Sequence, residues 1–147
     1  MNDSFFARLY RFIKHTRFWP QVFAALFLSA YYRFCIVFIK PDTMREKWGE
    51  EGEESQPTET TENYKYAYKV RCAVESVCTR TTWESRCLVR ALTAQYLLTR
   101  RNISSTLYLG CKLENEKMVA HAWIRCGEFY VTGGNGEGYS VVAKFRK

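Results

Sequence analysis

A chain of 147 residues, 47% hydrophobic and 16% aromatic, has apolar surface enough for one domain with a short appendage, which excludes both two compact domains and a wholly disordered chain. Eight Gly and three Pro without a period exclude collagen-like and low-complexity architectures. The net charge of +7 is uneven: residues 1–40 hold six Lys/Arg against one Asp, residues 41–62 two against eight acids, and residues 63–147 fourteen against six, spread over every expected element without a helix-turn-helix, zinc-finger or RNP motif, so nucleic acid is not an expected partner.

In chain order, Phe18 to Ile39 comes first, with eighteen apolar residues of twenty-two behind a basic amphipathic stretch that contains His15. Its longest charge-free run, Phe18 to Tyr32, is fifteen residues, short of the roughly 20 a bilayer crossing needs, and Arg33 would sit in hydrocarbon. Leu28-Ser29-Ala30 is a poor signal-cleavage site. The pattern predicts a helix that is apolar on both faces and must be covered by the rest of the chain, by a partner or by lipid; docking on the domain or a partner is the expectation, with membrane association left open but not predicted. Pro41 ends it. The segment 1–41 is therefore an N-terminal helical segment, and 42–63, rich in Glu, Thr, Ser, Gly and Pro, reads as an acidic linker or loop before a domain over 64–147. Tyr64 to Cys78 carries apolar residues at helical spacing and predicts the first helix of that domain.

Six cysteines, at 35, 72, 78, 87, 111 and 126, form no CxxC or CxxxxC pair, and with only His15 and His121 beside them the ligand clusters of a zinc site are missing. Cys72, Cys111 and Cys126 fall in patterned helix or strand stretches, where a free thiol behaves as a small buried hydrophobe. The expectation is a reduced, cytoplasmic protein with six free thiols, no metal and no cofactor.

The next helix runs from the neighbourhood of Thr81-Thr82-Trp83-Glu84-Ser85-Arg86-Cys87 to about Arg100. Thr81 and Glu84 have capping-box spacing and Ser85 is an alternative N-cap, so Cys87 falls in the first turn or so either way. A cysteine there sits where the helix dipole and unpaired N–H groups favour thiolate, and the same amides can bind an oxyanion. A buried core thiol is the competing reading of that position. After Asn102 the period changes to two: strands over Ser105–Lys112 and Met118–Cys126, a two-residue loop at Gly127-Glu128, a return over Phe129–Thr132, a glycine-rich loop over 133–138, and a last strand over Tyr139–Phe145. The fold class is α+β, a helix packed on an antiparallel sheet.

His121 lies within Val119-Ala120-His121-Ala122-Trp123-Ile124, where a lone histidine is by default a packed core residue. A cysteine at a helix start followed by a sheet whose second strand carries the only other base is, however, the order of papain-like and transglutaminase-like cysteine enzymes.

At these residues the chain resembles the lasso-peptide leader peptidases, the transglutaminase-like stand-alone peptidase half of the lasso B protein. The resemblance rests on Trp83-Glu84-Ser85-Arg86-Cys87-Leu88, the helix ending in Arg100-Arg101-Asn102-Ile103, the strand Leu107-Tyr108-Leu109-Gly110, and Ala120-His121-Ala122-Trp123, and spans 64–147. It implies Cys87 as nucleophile and His121 as its base, cutting the leader from a ribosomally made precursor. It further implies a small leader-binding recognition protein and an ATP-dependent lasso cyclase as partners. The family places an Asp about twelve residues beyond the histidine; here that place is Gly133. Hairpin arithmetic around Gly127-Glu128 pairs Cys126 with Phe129 and His121 with Gly134, while Glu128 lies ~23 Å away at ~3.3 Å per residue. Asn135, Glu137, a backbone carbonyl or water are the candidates to orient the ring, with Asn135 taken as the third site residue. The rival from another class is a non-catalytic transglutaminase-like scaffold or adaptor in a biosynthetic complex.

Overall fold

The computed structural model describes residues 19–81 and 86–147. Among them are helices α1 (Trp19–Phe38), α2 (Pro41–Arg45), α3 (Thr61–Cys78) and α4 (Cys87–Thr99), and strands β1 (Glu50–Glu51), β2 (Thr106–Glu114), β3 (Lys117–Cys126), β4 (Phe129–Thr132) and β5 (Ser140–Arg146). The strands form one antiparallel sheet in the order β1-β5-β2-β3-β4, and the fold is α+β.

Strand alternation divides the sheet's two faces. Leu107 of β2, Ala122, Ile124 and Cys126 of β3, and Phe145 of β5 join the core cluster with Val70 and Val74 of α3 and Leu92 and Leu98 of α4. On the opposite face Tyr108 and Trp123, directly paired across β2 and β3, stack at 5.4 Å, and the guanidinium Nε of Arg125 donates to the Tyr108 hydroxyl at 3.0 Å. Aromatic cross-strand pairs of this kind add to sheet stability beyond their buried area.

Helix α3 begins at Thr61, three residues ahead of the apolar stripe, because the Thr60 hydroxyl accepts from the Asn63 N–H at 3.2 Å and caps it. Helix α1 lies against α3 and α4. Ala25, Ser29 and Cys35 are buried on its inner side, with Val22, Leu28, Tyr32, Ile36 and Ile39 packed against the core.

The acidic stretch between α1 and α3 is attached to the sheet. Glu50 and Glu51 pair with Arg146 and Phe145 as β1, the Ser55 N–H donates to the Thr106 hydroxyl at 2.8 Å, and the Gln95 amide donates to the Trp48 carbonyl at 2.9 Å. Glu54 bridges Arg125 at 3.0 Å and Lys144 at 2.9 Å, and the Lys144 ammonium holds its carboxyl below the usual carboxylate range. A surplus of acids finds a surplus of cations. Hydrophobic periodicity carries no record of that pairing.

The hairpin at Gly127-Glu128 pairs Cys126 with Phe129 and Arg125 with Tyr130, then shifts register so that Ile124 meets Thr132. Val131 is the extra residue of a β-bulge, which bends β4 away from the arithmetic of a plain hairpin just before the glycine-rich loop.

Candidate active site

Cys87 is the first residue of α4. The N-cap is Arg86, extended at φ −66° and ψ 167°, and its side chain makes no capping bond; Thr81, the expected capping-box N-cap, lies six residues ahead of the helix, while Glu84 and the alternative cap Ser85 lie outside the described residues. The first intrahelical bond runs from the Arg90 N–H to the Arg86 carbonyl at 3.1 Å. The N–H groups of Cys87, Leu88 and Val89 thus have no carbonyl partner within the helix and form its positive end. The Cys87 side chain is a half-buried free thiol.

His121 sits in β3 opposite Gly110 of β2, and its ring clusters with Tyr139, at 4.9 Å, and Trp123, at 5.8 Å, which are 6.5 Å from each other. Glycine at 110 is what lets this aromatic layer close, since a Cβ there would stand 2.8 Å from the Trp123 ring. The imidazole Nε2 is 2.6 Å from the Gly133 carbonyl oxygen. A carbonyl only accepts, so Nε2 carries a proton, and in the neutral tautomer this leaves the lone pair on Nδ1.

Gly133 can make this contact because it has no side chain. Its φ of +76° is left-handed, and a Cβ would lie 2.4 Å from the Ala122 carbonyl oxygen and 2.8 Å from the Trp123 Cβ. At the place where the resemblance puts an aspartate, the backbone comes close enough to supply the acceptor itself. Asn135 is exposed, and its Oδ1 accepts from the Glu137 N–H at 3.0 Å, an Asx-type closure of the glycine-rich loop. Glu137 is exposed as well. His15 lies outside the described residues.

Cys87 and His121 line one cavity of about 370 Å³, together with Glu75 of α3, Arg90 of α4, Gly133 and Gly134. Neither Asn135 nor Glu137 is among its lining residues. Thiol and imidazole are thus brought to one space, with no hydrogen bond between them among the described residues; catalytic contacts of this kind are commonly loose until substrate binds. Arg90 and Glu75, whose guanidinium and carboxylate stand 3.3 Å apart, are the two charged residues that sequence reasoning missed here. One signal was available for Arg90: three residues after Cys87 on a helix, it shares the cysteine's face. A larger cavity of about 460 Å³ lies between α1, the 43–49 segment and α4, lined by Tyr32, Cys35, Met44, Trp48, Leu92 and Gln95 among others. Glu46, Lys47 and Lys147 also line it, but no histidine does, so the smaller cavity is the one that joins a thiol to an imidazole.

Residues 44–144 match the Transglutaminase-like superfamily. The matched span runs from α2 into β5 and contains both Cys87 and His121. The chain belongs to this superfamily, whose members commonly use a cysteine for hydrolysis or acyl transfer and include cysteine peptidases. No curated protein and no solved structure matches the chain.

Proposed function

We propose that the protein is a cysteine peptidase that removes the leader from a lasso-peptide precursor in the cytoplasm. The observation that carries the chemistry is the shared cavity of Cys87, at a helix N-terminus, and His121, whose ring is held through Nε2 with Nδ1 as the free base. The choice of substrate rests on the sequence motifs around Cys87 and His121.

In this mechanism the Cys87 thiol proton passes to His121 Nδ1, and the thiolate sulfur attacks the carbonyl carbon of the last leader residue. The tetrahedral oxyanion is met by the Cys87 backbone N–H at the positive end of α4. As the C–N bond breaks, Nδ1–H protonates the leaving amine of the core peptide, and the leader stays on Cys87 as a thioester. His121 then takes a proton from water, whose oxygen displaces the sulfur and frees the leader acid. Throughout, the Gly133 carbonyl accepts from Nε2–H and supports the imidazolium. No cofactor takes part. A leader-binding recognition protein presents the precursor, and the ATP-dependent cyclase uses the freed core.

The test is incubation of the purified protein with precursor and recognition protein, read by mass spectrometry. Leader and core fragments are expected. An intact precursor under conditions where all three proteins associate would favour the scaffold reading. With the ring held by a backbone carbonyl, Asn135→Ala should keep turnover within about tenfold of wild type. A loss of orders of magnitude in a folded variant would assign ring orientation to Asn135.

Reactivity supplies a test that needs no substrate. Cys35, Cys78 and Cys126 are buried, and burial pushes the Cys126 thiol up to about 11, with Glu59 adding to the effect, so it stays protonated at neutral pH. Iodoacetamide should therefore label Cys87 first, with His121→Ala slowing that reaction and leaving the half-buried Cys72 and Cys111 unchanged. Equal labelling of Cys72, Cys87 and Cys111 would argue against an activated thiol.

A further inference from the structure

The outer side of α1 is the largest apolar feature left unexplained. Phe23, Phe27, Tyr31, Phe34 and Phe38 follow one another at spacings of four, four, three and four, which places them on one stripe of the helix with Val37 beside it. All six are exposed, Phe27 and Phe38 to 71%. Between Phe23 and Phe38 the stripe runs about 22 Å at 1.5 Å per residue. The helix's inner side, with Ala25, Ser29 and Cys35, is fully used against the domain.

The charges around this stripe have one sign. After Asp3, the first forty residues contain no acid, and Arg8, Arg11, Lys14 and Arg17 precede α1 while Arg33 lies within it and Lys40 follows it. The basic residues ahead of α1 alternate with Phe5, Phe6, Leu9, Phe12 and Ile13, so cations and apolar side chains continue together along the chain. Apart from the Tyr31 hydroxyl, the stripe offers a partner no hydrogen-bonding group. Protein interfaces of this size mix apolar anchors with polar contacts, whereas aromatic side chains beside clustered Lys and Arg match the acyl–headgroup boundary of an anionic bilayer.

We propose that α1 seats the protein on an anionic membrane surface, lying in the interfacial plane with its aromatic stripe among the lipid chains, drawn there by the positive charge of residues 1–40. Crossing the bilayer would require α1 to leave α3 and α4 and expose the core beneath it; lying on the surface leaves those contacts intact. The domain then works at the membrane face. This inference is independent of the peptidase reading.

Flotation of the full chain with vesicles tests it, using phosphatidylcholine alone and an equal mixture with phosphatidylglycerol. The protein should float with the mixed vesicles and bind the neutral ones at least about tenfold more weakly, with high salt removing most of the difference. Phe27→Gln with Phe34→Gln should lower binding at least about tenfold, and Arg11→Glu with Lys14→Glu should bring the mixed vesicles towards the neutral level. Unchanged circular dichroism and an unchanged rate of Cys87 alkylation would show that these variants fold. Absence of flotation with either vesicle, as would follow if residues 1–18 cover the stripe, overturns the proposal. So does a dimer in solution that Phe27→Gln and Phe34→Gln dissolve, or membrane-bound protein that alkaline carbonate does not extract.

Discussion

Cys87→Ser and His121→Ala should each reduce leader removal by at least roughly 10⁴-fold, and the double variant should be no worse than either alone, because nucleophile and base act as a unit. The serine hydroxyl is a far weaker nucleophile than a thiolate and has no comparable ionised form near neutrality. Loss of the imidazole removes both the acceptor of the thiol proton and the donor to the leaving amine. Neither change should unfold the protein. Cys87 is half-buried at the surface end of α4, and the His121 ring is partly exposed beside the cavity. Thermal denaturation of each variant close to wild type, alongside the lost activity, is the expected pair of results. Multiplicative losses in the double variant would mean that the two residues act independently.

Gly133→Ala should cost on the order of 10² in turnover or more, although the residue has no side chain to contribute. An added methyl meets the Ala122 carbonyl oxygen at 2.4 Å, so either the loop or β3 must move, and the φ of +76° opposes the change as well. Whichever moves, the carbonyl that holds His121 Nε2 is carried off its 2.6 Å contact. The ring is then free to turn or to shift its proton to the other nitrogen. Gly134→Ala makes the matched control: its φ is also left-handed, yet no atom lies within 4 Å of its Cβ position, so backbone strain appears without the collision. Turnover that falls much further in Gly133→Ala than in Gly134→Ala separates loss of the acceptor from a general loosening of the loop. Equal losses would remove the special role of the 133 carbonyl.

The α+β architecture was legible because its signals are local. Helical spacing over Tyr64 to Cys78, period-two alternation through β2 and β3 and the Gly127-Glu128 loop each depend on a few neighbouring residues. The four-residue strand β4 coincides with its expected span for the same reason. Three features were not legible, each resting on contacts between distant segments. The acidic stretch reads as a linker by composition, and what attaches it to the sheet is partner choice, with Glu54 reaching Arg125 and Lys144. The bulge at Val131 changes hairpin register by one residue, which sequence alternation cannot forecast. The acceptor at His121 is a main-chain oxygen; the sequence leaves Asn135, Glu137, a backbone carbonyl or water open, because a backbone group carries no residue-type mark by which to choose it. The run of glycines was the available sign: Gly133 stands where the chain must pass close to β3.

The chemistry is tested most directly by rapid acid quench of the protein mixed with precursor and recognition protein, followed by peptide mapping. The account predicts a leader peptide, lighter by one water, attached as a thioester to Cys87, with core peptide released in the same time and no adduct in Cys87→Ser. Leader attached to another residue, or undiminished cleavage by Cys87→Ser, would contradict it.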